Sequence, residues 1–156
     1  MGAVALTGAD TVSLGPAGAA LRIFSDFADG DVNVLDFPNN LVEAKTGKNQ
    51  NTIFAFNATG KVCTLEMRVL RASTDDKYMN AEMNAYLLDP PSYVLLEGEF
   101  IKRVGDGQGN ISNDIYRVTG GTIQKFPNAK DNVEGDTESA VTIWKVIFAN
   151  TDRAIA

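Results

Sequence analysis

The sequence predicts a mainly β fold, an antiparallel β-sandwich or barrel with one flanking α-helix at about residues 74–88. Three observations lead there. Short apolar runs alternate with glycine- and asparagine-containing turns along most of the chain. Two stretches, 61–70 and 95–104, set apolar against charged side chains with a period of two, the mark of a sheet with one wet face. One segment alone breaks this rhythm, with helical spacing between a serine and a proline pair.

Taken in order, the candidate strands are 11–14, 20–24, 31–37, 42–46, 52–57, 61–70, 93–104, 115–126 and 140–149. Asp29-Gly30, Thr59-Gly60, Gly105-Asp106-Gly107 and Gly120-Gly121 supply residues tolerant of positive φ between them, and Pro38-Asn39-Asn40 turns by the same chemistry. In 61–70, Cys63, Leu65, Met67 and Val69 oppose Thr64, Glu66 and Arg68. In 95–104, Leu96, Phe100 and Val104 oppose Glu97, Glu99 and Arg103. Ile53-Phe54-Ala55-Phe56 and 141–148 are apolar on both sides and need cover twice, from a neighbouring subunit or from a central place in one sandwich. The helix begins at a Ser73 cap, carries Asp75 and Asp76 at its positive end, and stops at Pro90-Pro91. Met79, Met83 and Tyr86 or Leu87 share one of its faces, which predicts a stripe packed on the sheet. The longest polar stretch, 128–137, is expected to be an exposed loop, with 25–31 and 105–114 similar.

A chain of 156 residues fits one domain, here 1–156, with a flexible N-terminal segment and extended loops. A single cysteine, Cys63, allows no intrachain disulfide. With no histidine, the usual general base near neutral pH is missing, as is every Ser-His or Cys-His nucleophile pair, and a zinc site lacks its ligands. No enzymatic activity, metal or cofactor is therefore expected. The net charge of −6 and the lack of a basic cluster argue against a tight grip on nucleic acid. They leave room for a surface past which DNA slides. No basic n-region with an apolar run marks a secretory signal at residues 1–7, and no stretch approaches the ~20 apolar residues of a membrane span, so no membrane binding is expected.

Glycine-rich 105–110 lacks the spacing of a dinucleotide fingerprint, and Thr46-Gly47-Lys48-Asn49 lacks the first glycine and final hydroxyl of a phosphate loop. Asp26, Asp29 and Asp31 crowd around Gly30, yet the sixth-position glycine and twelfth-position glutamate of a calcium loop are absent.

Gly30-Asp31-Val32, Leu35-Asp36-Phe37-Pro38-Asn39-Asn40, 45–51, Asn57-Ala58-Thr59-Gly60, 65–70 and Ser73-Thr74-Asp75-Asp76 together resemble the tail tube proteins of bacteriophages, particularly those with contractile tails. The resemblance covers about residues 20–86. It implies a structural virion protein whose hexameric rings stack into a hollow tube, the inner sheets of neighbours joining into a lumen through which DNA passes during ejection. Related tubes serve pyocin-like particles and type VI secretion. The implied partners are further copies of the chain, the tail sheath, baseplate, tape measure and tail terminator. On this reading Glu97 and Glu99, with Asp31 and Asn33, line the lumen. Contacts between rings or subunits fall to 1–11, to 45–51 with Lys45, Lys48 and Asn51, and to 128–137 with Lys130, Asp131 and Glu134. A lectin-like β-sandwich is the alternative, weakened by few loop aromatics beyond Tyr93 and Tyr116.

Overall fold

The computed structural model describes residues 5–6, 11–28, 33–129 and 140–156. Its strands are β1 (Ala5–Leu6), β2 (Thr11–Pro16), β3 (Arg22–Ile23), β4 (Asn33–Asp36), β5 (Val42–Thr46), β6 (Thr52–Phe56), β7 (Cys63–Leu70), β8 (Leu96–Gly105), β9 (Ile111–Ala129) and β10 (Val141–Ile155). One helix, α1 (Thr74–Leu88), lies between β7 and β8. The mainly β, antiparallel architecture with one flanking helix is thus the one the sequence predicts. Eight strands form one sheet in the order β3-β2-β8-β9-β10-β7-β4, with β1 also paired to β8, while β5 and β6 form a separate two-stranded ribbon.

The alternation in β7 and β8 survives in three dimensions. Cys63, Leu65, Met67 and Val69 are buried, as are Leu96, Gly98 and Phe100, and they join Val12, Leu14, Trp144, Val146 and Phe148 in one core. Met79 and Met83 bring α1 onto it, so the methionine stripe packs as its spacing predicts. Strand β9 admits this packing at Gly121, where a Cβ would collide with the Phe148 ring. One residue earlier Gly120 takes φ 68°, and the buried alternation changes parity there. On β10 it passes from Phe148 to Thr151, and on β9 from Gly121 to Val118. The β8–β9 register slips at the same level, between Leu96 and Gly98.

Both acidic residues at the start of α1 tie the helix to the sheet. Ser73 accepts from the Asp76 backbone N–H at 3.3 Å, the cap its position predicts. Asp75, 1% exposed, accepts from Arg22 Nη2 at 3.0 Å and from the backbone N–H groups of Ser25 and Asp26 at 2.8 and 2.7 Å. Arg22 also stacks over the Tyr78 ring, 5.2 Å from its centroid. Asp76 accepts from Trp144 Nε1 at 2.8 Å and from the Ala72 backbone N–H at 2.8 Å. A buried tryptophan thus finds the partner its N–H requires.

Several elements differ from the expected bounds. Residues 20–24 yield only the two-residue β3, because Phe24 turns into the core and 25–26 bond to Asp75 instead of a strand. Residues 58–61 form a 3₁₀ turn capped by Asn57, so β7 starts at Cys63. Strands β9 and β10 run further than expected, to residues 129 and 155, pairing with each other from Thr142–Ala129 to Ile155–Asp114. Charged Asp152 and Arg153 disguise the end of β10; Arg153 lies in a bidentate pair with Asp114 at 2.9 and 2.8 Å.

Candidate assembly surfaces

Among the described residues, the β5–β6 ribbon projects without a strand partner on either side. Its register places Val42 opposite Phe56, Ala44 opposite Phe54, and Thr46 opposite Thr52. Directly opposed residues point the same way, so these six make one face, apolar apart from two threonines whose hydroxyls lie 3.0 Å apart. The other face carries Glu43, Lys45, Ile53 and Ala55. Phe54 is 71% exposed and Phe56 70%. Such a ribbon is marginal in water alone, since two strands bury too little of themselves.

Its root is firm. Asn57 donates its backbone N–H to the Leu41 carbonyl at 2.7 Å, and Asn39 Nδ2 donates to the Thr59 carbonyl at 3.3 Å. Gly60 is buried against Leu41, and a Cβ there would fall 2.7 Å from the Leu41 Cα. The ribbon is therefore held at a set exit point with its apolar face bare. The 47–51 turn at its tip closes through Gly47 and Asn51, the Gly47 N–H donating at 2.8 Å. It carries Lys48 and Asn51, and Lys45 lies one residue pair below the threonines, so these three expected contact residues share the outer end of the ribbon.

A second, largely apolar surface lies between α1 and β9, where Met83, Tyr86, Leu87, Ile123 and Phe126, with Gln124 and Lys125, line a shallow groove. Phe126 is 69% exposed at its rim.

The sheet face opposite the core is charged with both signs. Glu99, Arg117 and Asp152 lie side by side across β8, β9 and β10, with Arg117 Nε donating to Glu99 at 3.2 Å and Lys61 Nζ 3.6 Å from Asp152. A second row runs Val34, Glu66, Lys145 and Lys125 across β4, β7, β10 and β9. Glu97 sits two residues from Glu99 on the same face, so the structure keeps these two together. Asn33 is apart from them: it opposes Met67, on the core face, and its Oδ1 is buried. It follows the parity of half-buried Leu35, which packs on the core. The face is thus less acidic than Glu97 and Glu99 suggest by themselves. Asp31, Lys130, Asp131 and Glu134 lie outside the described residues, as do most of 1–11 and 128–137.

The other candidate chemistry resolves into turns and ties. Asp106 closes the 105–111 hairpin loop by accepting from the Gln108 and Asn110 backbones and from Asn110 Nδ2; these bonds hold its carboxyl below the usual range. Asp26 accepts from Thr74 Oγ1 at 2.7 Å. Burial pushes the Cys63 thiol up to about 11, which leaves it protonated and inert near neutral pH. No helix among the described residues is long and apolar enough to cross a membrane.

The ribbon's strands are legible in the sequence, whereas its isolation and the groove are not. The signal for the groove was faint: Leu87 and Leu88 both lie beyond the buried Met79–Met83 stripe, and Phe126 precedes Pro127.

The described residues define a sheet protein with a projecting apolar ribbon. No family model matches the chain, and no curated protein matches it. Among solved structures, a chain of the cryo-EM structure of the anti-feeding prophage baseplate, six-fold symmetrised, is similar over 100% of this chain and 97% of that one. The identity is 10% and the TM-score 0.48. At that level the similarity carries no weight about activity or partners.

Proposed function

We propose that this chain is a structural, non-enzymatic building unit of a phage-tail-type particle, the subunit of stacked hexameric rings that form a hollow tail tube. The observation that carries the reading is the ribbon: a fixed two-stranded arm with one apolar face, both of whose edges are unpaired among the described residues, needs another chain to cover it. A closed assembly of identical copies covers every arm at once. The charged face bearing Glu97 and Glu99 faces the lumen. Its interspersed charges of both signs offer no basic track that would hold DNA through counterion release, so DNA passes without being gripped. The tail sheath, baseplate, tape measure and tail terminator meet this tube on its outside and at its ends. A tube of a secretion system would use the same subunit architecture with a different cargo.

Sedimentation velocity and negative-stain microscopy of the purified protein test the reading. Rings with a central hole, or stacked tubes, are expected as concentration rises. A monodisperse monomer at every concentration contradicts it.

A further inference from the structure

The arm needs a receptor, and the same chain carries a surface of matching chemistry. We infer that the apolar face of the β5–β6 arm of one copy seats in the α1/β9 groove of the next. The inference rests on the ring reading above and names the surface that reading leaves open.

Three observations carry it. First, among the described residues nothing covers the arm's apolar face or the exposed Leu87 and Phe126 of the groove, whose floor of buried Met83 and half-buried Tyr86 and Ile123 is apolar and aromatic, a surface suited to phenylalanine rings. Second, the exposed rings supply a sizeable part of the area that association needs. Phe54 and Phe56, about 70% exposed, bring roughly 280 Å² between them on the usual size of an aromatic side chain. That is over a third of the ~800 Å² per partner of a standard interface, before Val42, Ala44 and the strand edge are added. Third, the charges are complementary. The groove runs along the C-terminal half of α1, which has no basic residue in its last turn and is followed by Asp89. The partial negative charge of that helix end attracts the arm tip through Lys48, while Lys45 lies on the ribbon's other face. An arm given and a groove filled by every copy is a heterologous contact, the kind that closes rings or continues as a stack.

Cross-linking tests this directly, because the single native cysteine, Cys63, is buried. Ala44→Cys and Gln124→Cys proteins of different tag mass, which keep the phenylalanine rings and Leu87, are mixed, assembled and mildly oxidised. Mixed 44–124 disulfides are expected to dominate and to appear only on assembly. Assembled material with only 44–44 species, which sets arm against arm, overturns the groove assignment. So does assembled material with no cross-link, which leaves the groove to a different protein. Either outcome leaves the tube reading standing, whereas a chain that stays monomeric under the microscope overturns both. In addition, Leu87→Asp should weaken assembly at least tenfold while the melting temperature stays within about 2 °C of wild type. Assembly within twofold of wild type would count against the groove.

Discussion

Replacing Phe54 and Phe56 by alanine separates folding from assembly. Both side chains stand off the core, about 70% exposed, and contact nothing in the buried cluster. Truncating them should change the stability of the isolated chain by no more than about 0.5 kcal/mol, the usual range for exposed positions. For a chain of this length that is a shift in melting temperature of at most ~2 °C. In an assembly the same rings are buried. An aromatic of ~200 Å², exposed to the extent seen here, removes about 140 Å² from water, and most of that is lost on truncation. At about 25 cal/mol per Å² the loss is roughly 2 kcal/mol for each ring, or about thirtyfold in the affinity of each contact. The double variant should therefore raise the assembly midpoint by two orders of magnitude or more. Light scattering across a concentration series measures that midpoint, and thermal denaturation at low concentration measures the fold. Unchanged assembly in the double variant would refute the role given to the arm. A fall in melting temperature above ~5 °C would show that the arm instead supports its own subunit.

The rest of the framework makes its own predictions. Asp75→Ala leaves Arg22 and the Ser25 and Asp26 N–H groups without their shared acceptor, and should cost about 3–5 kcal/mol by urea denaturation; a loss under ~1 kcal/mol would rule out Asp75 as the anchor of α1. Gly121→Ala drives a methyl into the Phe148 ring and should cost about 1–3 kcal/mol, whereas an unchanged denaturation midpoint would mean that the ring moves aside freely. The Cys63 thiol should resist an aromatic disulfide reagent at pH 8 until denaturant is added. Its folded value lies above its unfolded one, so its contribution is full below pH 9 and is lost as pH rises towards about 11. Cys63→Ala should flatten the fall of stability across that window, and an identical fall in both proteins would contradict the assignment.

Periodicity read the half of the fold where one rule holds throughout. Strand β7 and the first half of β8 alternate without interruption, and the α1 bounds follow from Ser73 at one end and Pro90-Pro91 at the other. Alternation failed where the backbone itself changes parity. At Gly120 the core side passes from odd to even positions of β9, a shift that a two-residue rhythm cannot carry through. Asn33 stands beside Glu97 and Glu99 only on the tube reading, and its pairing with Met67 puts it on the core side instead. The apolar character of both 53–56 and 141–148 was legible, and its meaning was not. In 141–148 it marks a strand flanked by β7 and β9, while in 53–56 it marks a ribbon that pairs with no other described strand. The two cases differ in long-range pairing, which composition does not record. The bonds from Asp75 to 22–26 are invisible for the same reason, since nearly fifty or more residues separate their partners.

A cryo-EM reconstruction of the assembled wild-type chain would show the arrangement outright. Identical copies around a hollow axis are expected, with Glu97 and Glu99 on the inner wall and each β5–β6 arm lying on a neighbouring copy. A compact particle without a central channel, or a ring with that charged face on its outer wall and its arms free in solvent, would contradict it.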